Sequence, residues 1–132
     1  MATGGFHLPN LFPMVAGEDL SAGDGLILKL NTSGQVVSAD AGDGALVGLC
    51  YGNADIAAAG AVVTVAGVGC IYRCKVDGSG TAVNPADALK PDNSGRGVEA
   101  GAGDKVVGYA IGTSSAANEF VNCLVMPHEL ET

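Results

Sequence analysis

The sequence predicts an all-β protein: a small β-barrel or sandwich built from two related halves, with an extended N-terminal arm. Three observations carry this. Short runs rich in Val, Ile, Leu and Ala are punctuated by 21 glycines, and such runs bounded by turn residues are strand signals. No stretch sustains a helical period of apolar residues. The chain also nearly repeats itself. Asn31 to Asp43 reads NTSGQVVSADAGD and Asp92 to Asp104 reads DNSGRGVEAGAGD, an offset of 92 − 31 = 61. Ser33, Gly34, Val37, Ala39, Ala41, Gly42 and Asp43 recur as Ser94, Gly95, Val98, Ala100, Ala102, Gly103 and Asp104. A chain of 132 residues suits one domain that buries its core without staples.

The first residues stand apart. Phe6, His7, Leu8, Leu11 and Phe12 are broken by Pro9 and Pro13. Proline removes a backbone donor and biases the residue before it toward extended conformations. Residues 1–13 are therefore expected as an extended apolar arm, neither helix nor central strand, that docks on a partner or a neighbouring subunit. Its candidate contacts are Phe6, Leu8, Leu11, Phe12 and Met14. The β domain is expected over 14–132, with repeat halves at about 14–76 and 77–127.

After the arm, GLILKL (Gly25–Leu30) reads as a strand, NTSG as a turn and QVVSA (Gln35–Ala39) as the returning strand. AGDG turns the chain into ALVGLCYG (Ala45–Gly52). AVVTVAG (Ala61–Gly67) and GCIYRCKV (Gly69–Val76) follow, and DGSG closes that run with strong turn chemistry. The second half keeps the order: DALK (Asp87–Lys90), the turn PDNSG, RGVEA, the turn AGAGD, KVVGYAIG (Lys105–Gly112), a small-residue loop and EFVNCLVMP (Glu119–Pro127). Two copies of a four-strand unit make a closed or nearly closed barrel or sandwich, with GCIYRCKV joining them. In that strand Val68, Cys70, Tyr72, Cys74 and Val76 share one face, and Ile71, Arg73 and Lys75 share a wetter one. Val37 and Val98 are expected to face the core.

Charge and composition exclude several functions. The net charge is −8 with six Lys and Arg spread thinly, so the phosphate neutralisation that nucleic-acid binding needs is missing. No apolar run reaches the roughly 18 residues of a membrane span. The start lacks the basic and apolar regions of a secretory signal. Cys70 and Cys74 lie about 13 Å apart along one strand, too far for a mutual disulfide or a shared zinc. The four cysteines read as buried thiols in a reducing cytosol, with a cross-strand pair such as Cys70–Cys123 left open. The acids of DAGDG (Asp40, Asp43) are too few for calcium, and Gly101 replaces Asp40 in the second copy, so the motif reads as turn chemistry. His7 and His128 lie near the termini, outside any nucleophile–base arrangement. Neither GVGCIYRC nor SGRG opens a helix, as a phosphate loop would. Aromatics are 5% and Trp is absent, which weakens a sugar-stacking site. No enzyme, cofactor or metal is expected.

The order VAGEDLSAGDGLILKL, ALVGLCYGNADIAAAGAVVTVAGVGCIYRC and DALKPDNSGRGVEAGAGDKVVGYAIGTSSAANEFVNCLVMP resembles the small capsid cement, or head decoration, proteins of tailed bacteriophages. The resemblance covers roughly residues 14 to 127 and rests on the order and spacing of motifs that are each weak. The arm lies outside it, and the four cysteines depart from the family's pattern. The resemblance implies a structural virion protein, made in the host cytoplasm, that sits on the outer surface of an icosahedral capsid. It implies a homotrimer that clamps neighbouring copies of the major capsid protein. A small β-barrel ligand-binding or enzyme-accessory module, recognising glycan or peptide, is the alternative. Such a module should gather an aromatic or polar cluster in one half that the other lacks, and the sequence shows no such asymmetry beyond the arm.

Overall fold

Ten strands in chain order make up the computed structural model, which describes residues 5–53 and 58–131. They are β1 (Leu11–Val15), β2 (Ile27–Leu30), β3 (Val36–Ser38), β4 (Leu46–Tyr51), β5 (Val62–Ala66), β6 (Ile71–Asp77), β7 (Ala88–Pro91), β8 (Gly97–Glu99), β9 (Lys105–Ala110) and β10 (Ala117–Glu129). The described residues contain no helix. Nine of the strands fall on the runs expected from sequence, and β1 is the addition.

The protein is all-β and consists of two similar halves. The first sheet has the order β1-β5-β4-β2-β3, and β6 to β10 close into a barrel. Read from β6, that barrel runs β6-β10-β9-β7-β8, which is the first order with each strand advanced by five. The registers repeat as well. Leu28↔Ser38 and Ile27↔Leu49 become Leu89↔Glu99 and Ala88↔Tyr109, and Phe12↔Val65 becomes Tyr72↔Cys123. A parallel pairing, Val76↔Gly97, closes the second half. Its counterpart in the first half is a single parallel bridge, Ala16↔Val36.

The repeat unit is thus five strands rather than four. GCIYRCKV opens the second half instead of joining the two, so the boundary lies before β6 and not after Val76. The division after Pro13 likewise cuts through a strand, because Leu11–Val15 pairs with β5 along its whole length. Proline is tolerated there because β1 is a sheet edge. Ala16 N–H bonds inward to Ala61 O at 2.8 Å, so by alternation residue 13 faces outward, where no donor is required.

Burial follows the pleat. Cys70, Tyr72, Cys74 and Val76 are buried, and Arg73 on the opposite face is exposed. Val68 lies in the turn before β6 and is exposed. On β3 and β8 the inward positions are Val36 and Gly97, and Val37 and Val98 are only half-buried. The parallel closures at Val36 and Gly97 turn those residues inward and shift the face by one from the expectation. One cluster of buried side chains spans both halves, from Ile27 and Leu49 to Val107 and Val125; a second, with Leu20, Leu28 and Val65, lies in the first half.

The duplicated stretch is scaffold. Asn31 Oδ1 accepts from Ser33 and Gln35 N–H at 2.9 and 3.0 Å, and Asp92 Oδ1 accepts from Ser94 and Arg96 N–H at 2.8 and 2.9 Å. Asp43 takes Asp40 N–H and a Lys29 ion pair, and Asp104 takes Gly101 N–H and a Lys90 ion pair. Each turn carboxylate caps its own turn and ties it to the neighbouring strand.

Candidate functional site: an aromatic seam between the halves

Where the halves meet, the repeat breaks down. At the offset of 61, Asp24 corresponds to Pro85; at 60, Tyr72 and Arg73 correspond to Phe12 and Pro13. These unmatched residues come together. Asp24, only 8% exposed, sits on the turn before β2 and is saturated with donors. Gly52 N–H donates to Oδ1 at 2.9 Å, the Tyr72 hydroxyl donates to Oδ1 at 2.6 Å, and the Arg73 guanidinium pairs with Oδ2. Asp24 N–H in turn donates to Asn53 Oδ1 at 2.9 Å. Burial, reinforced by the Asp24 carboxylate, pushes the Tyr72 hydroxyl up to about 12. It keeps its proton and acts as a fixed donor. A buried carboxylate with this many partners holds two segments in one geometry.

Three further rings gather on this anchor. Phe6 meets Tyr72 edge-on with centroids 4.8 Å apart, and Tyr51 lies 4.9 Å from Tyr72. The Arg73 guanidinium stands 5.1 Å from the Phe120 centroid and 5.7 Å from that of Tyr72, within cation–π range. Four of the chain's six aromatic side chains meet here, from positions 6, 51, 72 and 120. Phe6, Tyr51 and Phe120 stay between 37% and 47% exposed, so the patch is rigid beneath and apolar above. An aromatic cluster that the sequence did not show is therefore present, but it is shared between the two halves rather than lying in one of them. Its signal was the set of positions where the two repeats disagree.

The five expected contact residues do not act together. Phe6 belongs to the seam. Leu11 is exposed on β1. Leu8 packs against the core that spans both halves, and Phe12 and Met14 pack against the core of the first half. Residues 6–15 are not a free arm. His7 bridges to Ile71, with N···O distances of 3.1 and 2.6 Å, and β1 completes the first sheet. Burying Leu8, Phe12 and Met14 stabilises the chain against itself.

Other polar side chains have structural partners. His128 Nε2 meets the Tyr109 hydroxyl at 3.0 Å, and Nδ1 meets Met126 O at 2.6 Å. All four cysteines are free and buried. Among the described residues, no group of three or more His, Cys, Asp or Glu is placed to hold a metal ion, and no helix is long and apolar enough to cross a membrane. No family model matches the chain, and no curated protein matches it.

Proposed function

We propose that this is a structural virion protein, not an enzyme, that binds the outer surface of an icosahedral bacteriophage capsid and stabilises it. Its partners in this reading are the major capsid protein and sister copies in a homotrimer. The observation that supports it is the exposed aromatic patch of Phe6, Tyr51 and Phe120 around Arg73. Aromatic residues and Arg are the side chains enriched at protein interfaces and their energetic centres. Rings already locked by packing lose little entropy on docking. Many copies on one particle turn a modest contact into firm attachment. The order of motifs along the chain, which resembles head decoration proteins, points the same way. Phe6 and Leu11 retain the contact role, and Leu8, Phe12 and Met14 support them from inside.

The test is co-sedimentation with expanded phage heads. Deleting residues 1–13 is not a suitable variant, because it removes three of the five residues of β1 and uncovers the core. Phe6→Ala combined with Phe120→Ala should lower head binding at least tenfold while leaving the melting temperature within a few degrees. Unchanged binding by this variant would sink the proposal. A second reading, a glycan- or peptide-binding module, draws on the same cluster, since rings beside an Arg–Asp pair also suit a sugar face. It predicts ligand binding by the isolated protein in a glycan or peptide screen, lost in the same variant, with no affinity for heads.

A further inference from the structure

The two halves are related by the repeat, and β4 touches its own counterpart β9 across the seam, yet around the turn into β2 they meet through different surfaces. The first half offers the turn into β2: Gly25 O accepts from Lys75 N–H, and Ile27 N–H donates to Gly95 O, both at 2.8 Å. The second half offers β6, Phe120 and the turn at Gly95. A contact with twofold symmetry would also bring Ala86, the counterpart of Gly25, against Val15, the counterpart of Lys75. Both are exposed instead. This part of the seam is therefore heterologous, and an unused copy of each of its two surfaces remains, one on each half.

We infer that a second copy of this chain docks the Pro85–Ala88 turn of its second half into the β1 groove of the first half, repeating the internal seam between molecules. The inference does not depend on the capsid reading. The receiving groove is already formed. It is open, has a volume of about 390 Å³, and is lined by Pro13, Met14, Val15, Gly34 and Val62. Those residues are the counterparts of Arg73, Cys74, Lys75, Gly95 and Phe120. Val62 is 64% exposed and Val15 42%, an apolar strip with no acid among its described lining residues on a chain of net charge −8. Copies that otherwise repel can approach there.

The backbone is poised to repeat the same bonds. Ala16 N–H points inward to Ala61 O, so Val15 N–H points outward, as Lys75 N–H does. Gly34 and Gly95 share a left-handed φ of +75° and +77°. A Cβ on Gly95 would lie 3.1 Å from Ser38 Cβ, whereas one on Gly34 would meet nothing within 4 Å. The position that the first half fills beside Gly95 is open beside Gly34.

The differences between repeats are matched across the contact. The ion pair Asp24–Arg73 has Pro85 and Pro13 as counterparts, so neither half of that pair is left to bury unmatched, and Asp87, the one acid on the docking turn, caps it by accepting Asn84 N–H at 2.8 Å. A Cβ on Gly25 would fall 2.8 Å from the Phe120 ring. Ala86 carries that Cβ, and the ring is replaced by the smaller Val62. The same Cβ would lie 2.9 Å from Lys75 N, so the contact between molecules sits slightly wider than the one within the chain. Because it is heterologous, it closes a ring or extends a chain.

The test uses Val15→Cys and Ala86→Cys as separate variants of the full chain, with the four native thiols buried. Mild oxidation of the mixture should give a disulfide-linked dimer that neither variant gives alone. Val62→Glu, at an exposed position, should reduce the sedimenting mass to a single chain without changing the melting temperature. A wild-type protein that sediments as a single chain at every concentration overturns the inference. So does self-linkage of either cysteine variant alone, which would mean that like surfaces meet.

Discussion

The Tyr72 hydroxyl donates to the Asp24 carboxylate at 2.6 Å across the seam, one residue from each half. Because Arg73 shares the same carboxylate, Asp24→Ala removes the acceptor of two donors at once. Breaking a buried charge pair from one side costs about 3–5 kcal/mol. The Arg73 side chain is 44% exposed and can rehydrate, so the expected loss is about 1–3 kcal/mol. Urea unfolding of Asp24→Ala, Tyr72→Phe and the double variant should show coupling of about 0.5 kcal/mol or more. Strict additivity would mean that the hydroxyl and carboxylate do not act together.

Gly48 and Gly108 occupy the same place in β4 and β9, with φ of +150° and +157°. A Cβ would lie 2.2 Å from Ala66 O at the first and 1.9 Å from Leu124 O at the second. Both obstacles are backbone of a paired strand and cannot rotate away. Gly108→Ala should destabilise by about 3 kcal/mol or more. Gly34→Ala, where a Cβ meets open space and only the backbone is strained, should cost about 1 kcal/mol. Comparable losses in thermal melts would contradict the close approach.

The thiols should be silent in the folded protein. Burial pushes Cys50 and Cys123 up to about 12, and raises Cys74 well above its ordinary value. A thiolate is the reactive form, so a thiol reagent at pH 8 should label none of these three in buffer and all four cysteines in denaturant. Prompt labelling of Cys74 or Cys123 in the native state would show that the second barrel opens readily.

The parts legible in the sequence were those governed by local chemistry. Alternation located β2 to β10, and the Asn31 and Asp92 turns announced themselves by Ser-Gly spacing. The first strand was hidden because Pro9 and Pro13 read as breakers, and only the sheet order shows that residue 13 lies on an outer edge. The five-strand repeat was hidden because β1 and β6, LFPMV and IYRCK, share a pleat and a register but no residues. The seam was marked only by the positions where the repeats disagree, because its rings come from four distant positions that only tertiary packing unites. The face of β3 was misjudged by one residue, since the parallel closure at Val36 leaves no mark in a three-residue strand.

Acid should loosen both halves through equivalent turns. The Lys29 ion pair, then Asp40 N–H, holds Asp43 below the usual carboxylate value; Gly101 N–H, then Lys90, does so for Asp104. A carboxylate depressed in the folded state contributes stability above its unfolded value, and loses it as pH falls through the folded one. Stability should therefore hold near neutrality and decline as pH falls below about 3.8. Asp43→Asn should cost about 1 kcal/mol or less at pH 7, as partly exposed pairs do, and should flatten part of the acid decline. An unchanged acid profile would assign the loss to other carboxylates.

Equivalent amides in β1 and β6 should exchange at different rates. Lys75 N–H is held by Gly25 O inside the seam, and β6 is flanked by β10 and β8. Val15 N–H faces outward from the edge of the first sheet. Amides in fully flanked strands exchange through larger openings than those at an edge, so in dilute protein Val15 should exchange orders of magnitude faster than Lys75. Raising the concentration should slow Val15 and leave Lys75 unchanged, because docking of a second copy gives Val15 the acceptor that Lys75 already has. Val62→Glu should abolish that concentration dependence while leaving the difference in dilute protein intact. Equal rates for the two amides in dilute protein would show that the edge of β1 is closed within the single chain, and would remove the groove on which self-docking rests.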